Sequence, residues 1–329
     1  MNKKVLIVSF SFEQEEEAFQ VLRDGGYEPV LLAEKDRAGF SEDDLAAYWK
    51  GLPEKPAGII MGADIALGEK FASQADGLKA ISLNCAGYDH LDLAAFQKRN
   101  IIICNVPRQN FEAVADFAWG MIICVMRRIA EGDRAIRSGK WCKGVERGIA
   151  VSGKTIGIIG FGAIGQAVAK RAMGFDMRIL VSSTSRKPEL ALKYNAIYVD
   201  RETLFKEADI IIPTCPHVPE THHIINKNSI ALMKKSAVVV NPSRGGIIDT
   251  EALYNALKEG RIAGAALDVY EKEPLYESKL FELENVVLTP HMGGLADREI
   301  HNVAMQSAYN MISLLEGKPT GSEIIGGSM

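Results

Sequence analysis

Residues 154–166 read Lys154-Thr155-Ile156-Gly157-Ile158-Ile159-Gly160-Phe161-Gly162-Ala163-Ile164-Gly165-Gln166, and this stretch decides the fold. The apolar run 155–159 has the composition of a buried strand, residues 166–173 continue as a helix, and 178–182 make a second strand. At the strand-to-helix turn stands G-x-G-x-x-G. In that setting Gly160 suits the tight turn, Gly162 lets backbone approach a ligand, and Gly165 lets helix and strand pack closely. A pyrophosphate would rest on the helix N-terminus, where unpaired N–H groups and the helix dipole favour an anion. Gly160, Gly162, Ala163, Ile164 and Gly165 are therefore the expected dinucleotide-binding segment.

The end of the second strand bears on which dinucleotide. A carboxylate about 20 residues past the glycines takes the ribose hydroxyls of NAD and repels a 2′-phosphate. Here the chain reads Val181-Ser182-Ser183-Thr184-Ser185-Arg186-Lys187, without Asp or Glu. Asp176 precedes the strand and Glu189 lies beyond it. The hydroxyls of Ser183 and Ser185 beside Arg186 and Lys187 form a cradle for a phosphate, which favours NADP over NAD.

Further short apolar runs follow at 196–199, 210–214, 237–240, 264–267 and 286–288, with helices between most of them. Seven strands in such a series form a doubly wound sheet. Upstream, runs at 5–10, 27–32, 58–61, 78–83 and 101–105 alternate with helical or polar segments, the pattern of βαβ units around a parallel sheet. A helix expected over 111–131 stands between the two series. It carries apolar residues on all sides (Val114, Phe117, Trp119, Met121, Ile122, Cys124 and Val125), so it is buried either in its own domain or against a second subunit. The fold class is α/β, with two doubly wound parallel-sheet domains.

Composition excludes other classes. With 47% hydrophobic and 24% charged residues in a chain of 329, the protein is globular rather than disordered. Forty-two acidic against 38 basic residues give a net charge of −4, without the basic excess of a nucleic-acid binder. The longest apolar run, 117–126, falls short of the ~18 residues a membrane span needs. The apolar run 5–10 is too short for a signal peptide and meets an acidic run at 13–17, so a cytoplasmic location is expected. Cys85, Cys104, Cys124, Cys142 and Cys215 are odd in number and scattered, which reads as reduced core thiols rather than disulfides or a zinc site. Three of the six histidines fall together as His217, His222 and His223, but without ligand spacing, and read as loop residues with no metal.

Three loops that follow late strands each offer one reactive side chain. Asn241-Pro242-Ser243-Arg244-Gly245-Gly246 offers Arg244, Asp268-Val269-Tyr270-Glu271-Lys272-Glu273-Pro274 offers Glu273, and Thr289-Pro290-His291-Met292-Gly293-Gly294 offers His291. Ligands of open α/β sheets bind at the carboxyl ends of strands, so the three can converge on a cofactor. A histidine titrating near neutrality can supply a proton, a carboxylate can orient its ring, and an arginine fork can hold a carboxylate or polarise a carbonyl.

The glycine fingerprint, V-N-P-S-R-G-G, A-A-L-D-V-Y-E-K-E-P and T-P-H-M-G-G, in this order and spacing, resemble the D-2-hydroxyacid dehydrogenase family. C-A-G-Y-D-H-L-D (85–92) and P-H-V-P-E-T-H-H-I-I (216–225) are also similar to family motifs. The resemblance covers nearly the whole chain and implies that Arg244, Glu273 and His291 are the catalytic set. It places Asp268 near the nicotinamide carboxamide and Thr214, Cys215 and Pro216 by the cofactor. Ala86 and Gly87 fall on the backbone segment that takes the substrate carboxylate, with Arg244 and His291 also on the substrate. It implies a Rossmann cofactor domain (105–291) inserted into a flavodoxin-like substrate domain made of 1–104 and 292–329. It also implies a homodimer through the helix 111–131.

Two departures bear on the substrate. Many members carry an acid–His pair where this chain has Asp116-Phe117. The run around Arg134–Trp141 looks most like phosphoglycerate-dehydrogenase-like members, yet no cation stands at Leu83-Asn84 or at Met61-Gly62-Ala63-Asp64 to meet a substrate phosphate. The expected substrate is therefore a small unphosphorylated 2-keto acid of the glyoxylate, hydroxypyruvate or pyruvate type. The alternatives are a D-3-phosphoglycerate dehydrogenase and, from another class, an NAD(H)-binding redox-sensing regulator. Retention of Arg244, Glu273 and His291 together argues for the enzyme.

Overall fold

The computed structural model describes residues 3–32, 40–63, 65–141 and 147–325. The chain forms two compact units, one of residues 1–110 with 295–329 and one of residues 111–294. Each holds its own sheet.

In the first unit, β1 (Lys4–Val8), β2 (Glu28–Leu31), β3 (Gly58–Met61), β4 (Ala80–Leu83) and β5 (Ile102–Cys104) are parallel, in the order β5-β4-β3-β1-β2. This is the flavodoxin-like order. Alternation along β1 loads both faces. Leu6 and Val8 pack with Trp49 of α2 (Glu42–Gly51), Phe71 of α3 (Glu69–Ala72) and Phe96 of α4 (Leu93–Gln97). Val5 and Ile7 pack with Phe19 and Leu22 of α1 (Glu16–Asp24) and with Met311 and Leu314 of the long C-terminal helix Asp297–Leu315. Beyond that helix a short strand, Glu323–Ile325, pairs antiparallel with β5, an edge the sequence reading did not anticipate.

The second unit opens with α5 (Phe111–Met126) and α6 (Ile129–Arg137). The single helix expected over 111–131 is thus two helices. Arg128 at their junction has φ 54, a left-handed conformation that ends the first helical run. The buried residues of α5, including Trp119 and Ile122, pack against α7 (Ala163–Met173) and the sheet, while Phe117, Ile123, Cys124 and Val125 stay partly exposed. The indole N–H of Trp119 donates to the Val168 carbonyl (3.2 Å).

Seven parallel strands follow: β6 (Thr155–Ile159), β7 (Arg178–Ser182), β8 (Ala196–Tyr198), β9 (Ile210–Pro213), β10 (Val238–Asn241), β11 (Gly264–Leu267) and β12 (Val286–Leu288). Their order is β12-β11-β10-β9-β6-β7-β8, which reverses direction at β6, the topological switch point of a dinucleotide-binding fold. Ile210 and Ile212 point to the α5/α7 face. Ile211 points to the opposite face, among Leu204, Phe205, Leu253 and Leu257. The C-terminal helix of the first unit, Asp297–Leu315, is α12, the terminal strand Glu323–Ile325 is β13, and α8 (Pro188–Lys193), α9 (Arg201–Glu207), α10 (Lys227–Leu232) and α11 (Thr250–Lys258) lie between β7 and β11.

Of the described cysteines, only Cys104 is buried. Cys85, Cys124 and Cys215 are partly exposed thiols rather than core ones, and Cys142 lies outside the described residues. Among the described residues, no helix is long and apolar enough to cross a membrane.

Candidate active site

The glycine turn sits at the carboxyl end of β6. Gly160 has φ 93 and carries its N–H to Ser182 O (2.8 Å); a Cβ there would lie 2.9 Å from the Cys215 Cβ. At Gly165 a Cβ would meet Gly160 O at 2.5 Å and Thr214 Oγ1 at 2.8 Å, so the close approach of α7 to β6 requires glycine. Thr214 donates its hydroxyl to Gly160 O (2.8 Å), which ties the loop after β9 to the turn. At Gly162, the residue just before α7, a Cβ would have nothing within 4 Å, leaving open space over the helix N-terminus. A close turn, a free approach at Gly162 and the start of an 11-residue helix fit a pyrophosphate. Burial pushes the Cys215 thiol up, which keeps it neutral beside the turn.

Ser183, Ser185, Arg186 and Lys187 follow β7, with Ser183 half-buried and the other three exposed. Among the described residues, none of the four side chains has a partner, and no carboxylate stands at the end of β7. The Lys187 backbone is held by Tyr198, whose hydroxyl accepts from its N–H (3.1 Å).

The three late loops are built against one another. Gly245 allows this: a Cβ there would lie 1.8 Å from the Tyr270 carbonyl carbon, so the Arg244 and Glu273 loops touch backbone to backbone. Glu273 Oε1 accepts the Tyr270 N–H (2.9 Å), and Oε2 meets His291 Nδ1 at 2.6 Å. Arg244, which donates to Ser243 O (2.8 Å), lies close enough for its charge to act on both. The hydrogen bond to Glu273 raises the His291 pKa, with the charges of Glu273 and Asp268 adding to it, against partial burial and Arg244. For Glu273, burial works against ionisation, but the bonds from His291 and Tyr270 and the Arg244 charge outweigh it and hold the carboxyl below its ordinary range.

Asp268 is 1% exposed and holds the His291 turn. Its Oδ1 accepts from Thr289 Oγ1 (2.6 Å) and Met292 N (2.9 Å), its Oδ2 from Gly293 N (2.8 Å), and its carbonyl from His291 N (2.9 Å). His291 has φ 52, and this lattice of bonds maintains it there. Phe117, in place of the family's histidine, packs beside the turn, 3.5 Å from a Cβ built on Gly293. Asp116 pairs with Arg171 (2.7 Å).

His217 and His222 share a 3.0 Å contact, and His223 stacks on His222 (3.8 Å) and bonds Glu271 (3.0 Å). Glu271 also accepts the Thr250 N–H (2.9 Å), so this chain of side chains braces the loop that carries Glu273. Among the described residues, no three His, Cys, Asp or Glu are placed to hold a metal.

In the first unit, Ala86 and Gly87 lie in the loop after β4, half-buried. Val106 N donates to Cys85 O (3.1 Å) and fastens the loop to the segment after β5. One cation at this end of the sheet escaped the sequence reading. Arg108 is exposed, with φ 62, two residues beyond Val106. The pairing of β4 with β5 sets Val106, two residues before it, against Cys85, so no motif could have pointed to it. Asp64 lies outside the described residues.

Comparison with known proteins follows the same lines. The family described as "D-isomer specific 2-hydroxyacid dehydrogenase, NAD binding domain" matches residues 119–293. A glyoxylate reductase of Thermococcus litoralis is 44% identical over 257 residues, 76% of this chain and 78% of the relative. A glyoxylate reductase of Thermococcus kodakarensis is 45% identical over 251 residues, 73% and 74% of the two chains. A crystal structure of D-lactate dehydrogenase from Aquifex aeolicus, complexed with NAD and lactic acid, superposes with a TM-score of 0.84 at 26% identity, covering 98% of this chain and 100% of that one. The chain belongs to the D-isomer-specific 2-hydroxyacid dehydrogenase family.

Proposed function

We propose that this protein reduces a small unphosphorylated 2-keto acid, of the glyoxylate, hydroxypyruvate or pyruvate type, to the D-2-hydroxy acid, using NADP(H) in preference to NAD(H). The observation that carries this reading is the 2.6 Å contact of His291 with Glu273, within reach of the Arg244 charge. The glyoxylate reductases of the two Thermococcus species support the substrate class.

A nicotinamide cofactor, when bound, would supply hydride-transfer chemistry at the carbonyl carbon of the keto acid. With Nδ1 turned to Glu273, His291 has Nε2 left to give a proton to the carbonyl oxygen. The raised pKa keeps the ring charged toward neutral pH, which suits an acid in the reducing direction. Arg244 polarises the carbonyl, and the Ala86 and Gly87 N–H groups take the carboxylate. Gly160, Gly162, Ala163, Ile164 and Gly165 would hold the pyrophosphate, and Thr214, Cys215 and Pro216 would lie beside the nicotinamide. Asp268 acts first by fixing the turn that carries His291. The partnerless Ser183, Ser185, Arg186 and Lys187 support the 2′-phosphate reading.

A second reading, a keto acid with a second anionic group such as 3-phosphohydroxypyruvate, is favoured by Arg108 alone. We further infer a homodimer. Its contact runs through the segment 111–131 and on into α6, where Ile129 and Ile136 are exposed, followed by Trp141 at 77% exposure.

Replacing His291 with Ala is expected to cut kcat by roughly 10²–10⁴-fold while the Kd for the dinucleotide, followed by fluorescence titration, stays put. Near-normal turnover would overturn the assignment.

A further inference from the structure

Beneath the loop 85–87 lies a network of buried polar side chains that the chemistry described above does not use. Asn105 is 8% exposed and donates its Nδ2 to the Ala86 carbonyl (2.7 Å). Its own carbonyl accepts from Asn310 Nδ2 of α12 (3.2 Å) and from Ser322 Oγ (2.8 Å), and its N–H donates to Ser322 O (3.3 Å). A second arm runs through the buried Asn84. Its Nδ2 donates to Ser9 Oγ (3.0 Å) and Ser11 Oγ (2.9 Å), and its Oδ1 accepts from Ser307 Oγ of α12 (3.0 Å).

Apolar residues would fill this space at no desolvation cost, whereas buried amides need every partner in place. What such a network specifies is a single arrangement of the backbone it grips. The Ala86–Gly87 peptide is trans, because Glu273–Pro274 is the one cis bond among the described residues. In a trans peptide the C=O and the N–H point in opposite directions. With the Ala86 carbonyl turned to Asn105, the Gly87 N–H is turned away from it. Among the described residues neither this N–H nor that of Ala86 has an acceptor. Two successive unclaimed N–H groups at the carboxyl end of a strand can both donate to an anion. Flipping the peptide would replace a donor with a carbonyl oxygen and repel a carboxylate.

We propose that Asn105 is a positioning residue for substrate-carboxylate recognition. Its amide fixes the Ala86–Gly87 peptide with the N–H outward, and Asn310 and Ser322 hold Asn105 in turn. The C-terminal segment thereby sets the geometry of a loop more than two hundred positions earlier in the chain. This rests on the reading that Ala86 and Gly87 take the carboxylate.

The test compares the full-length wild type with Asn105→Ala and Ser322→Ala. It measures kcat and KM for glyoxylate, the inhibition constant of oxamate, and KM for NADPH. Asn105→Ala is expected to raise the glyoxylate KM and the oxamate constant together by roughly tenfold or more. Its kcat should stay within about threefold of wild type and its NADPH KM should not move. Ser322→Ala, which removes one hydroxyl and keeps Asn105, should raise the same two constants by roughly two- to fivefold, and it answers the question if Asn105→Ala fails to fold. Unchanged glyoxylate and oxamate constants in a folded variant would overturn the proposal, as would a parallel loss of NADPH affinity. A wild type that turns over no 2-keto acid would overturn the parent reading as well.

Discussion

At the 2.6 Å His291–Glu273 contact the two groups push each other's proton affinities apart. Glu273 is held ionised and His291 is held charged, each largely by the other. The sign for reduction follows. The acid must carry its proton, so the rate falls as pH rises through the His291 pKa, and the shift moves that fall to higher pH. Glu273→Gln keeps a hydrogen-bond acceptor and removes the charge. The alkaline limb of the pH profile of kcat/KM should then move to lower pH, with a modest loss at acid pH and a growing one above neutrality. A limb that stays put would mean that another group sets it. The candidate catalytic residues were legible because Arg244, Glu273 and His291 each follow an apolar strand in the sequence. The tasks of Asp268 and Asn105 were not, because each is defined by partners at other places in the chain.

The strand–turn–helix unit of β6 and α7 separates two uses of glycine. Gly162→Ala places a methyl where the protein has open space, so the fold should be kept and the dinucleotide Kd should rise by roughly tenfold or more. Gly165→Ala places one against Gly160 O and Thr214 Oγ1, so both Tm and dinucleotide affinity should fall. Thermal melts with and without NADPH distinguish them; equal losses of Tm would contradict the assignment of Gly162 to the ligand. Strands of the second sheet were readable because continuous apolar runs are bounded by polar turns. The break between α5 and α6 was not, since Arg127-Arg128 continues a helical composition and only the left-handed φ of Arg128 ends the run. β13 is three residues long, too short to stand out from a loop until it pairs with β5.

Across the whole molecule, the chain leaves its first unit after residue 110, builds the dinucleotide-binding unit, and returns at residue 295 to contribute α12 and β13. Sequence periodicity revealed two sheets; the buried side of α12, with Met311 and Leu314 on the first sheet, explains why the return is needed to close a core. The exposed residues of α6 give the proposed assembly a test. Ile136→Glu should convert a dimer to a monomer by light scattering, and a wild-type monomer would refute the assembly. The central claim, reduction of a small 2-keto acid, is tested most directly by kcat/KM with glyoxylate, hydroxypyruvate, pyruvate, phenylpyruvate and 3-phosphohydroxypyruvate, each with NADPH and with NADH. The account predicts turnover of the small unphosphorylated acids, with NADPH ahead of NADH. Tight dinucleotide binding without turnover of any acid would contradict it and point to a redox-sensing regulator.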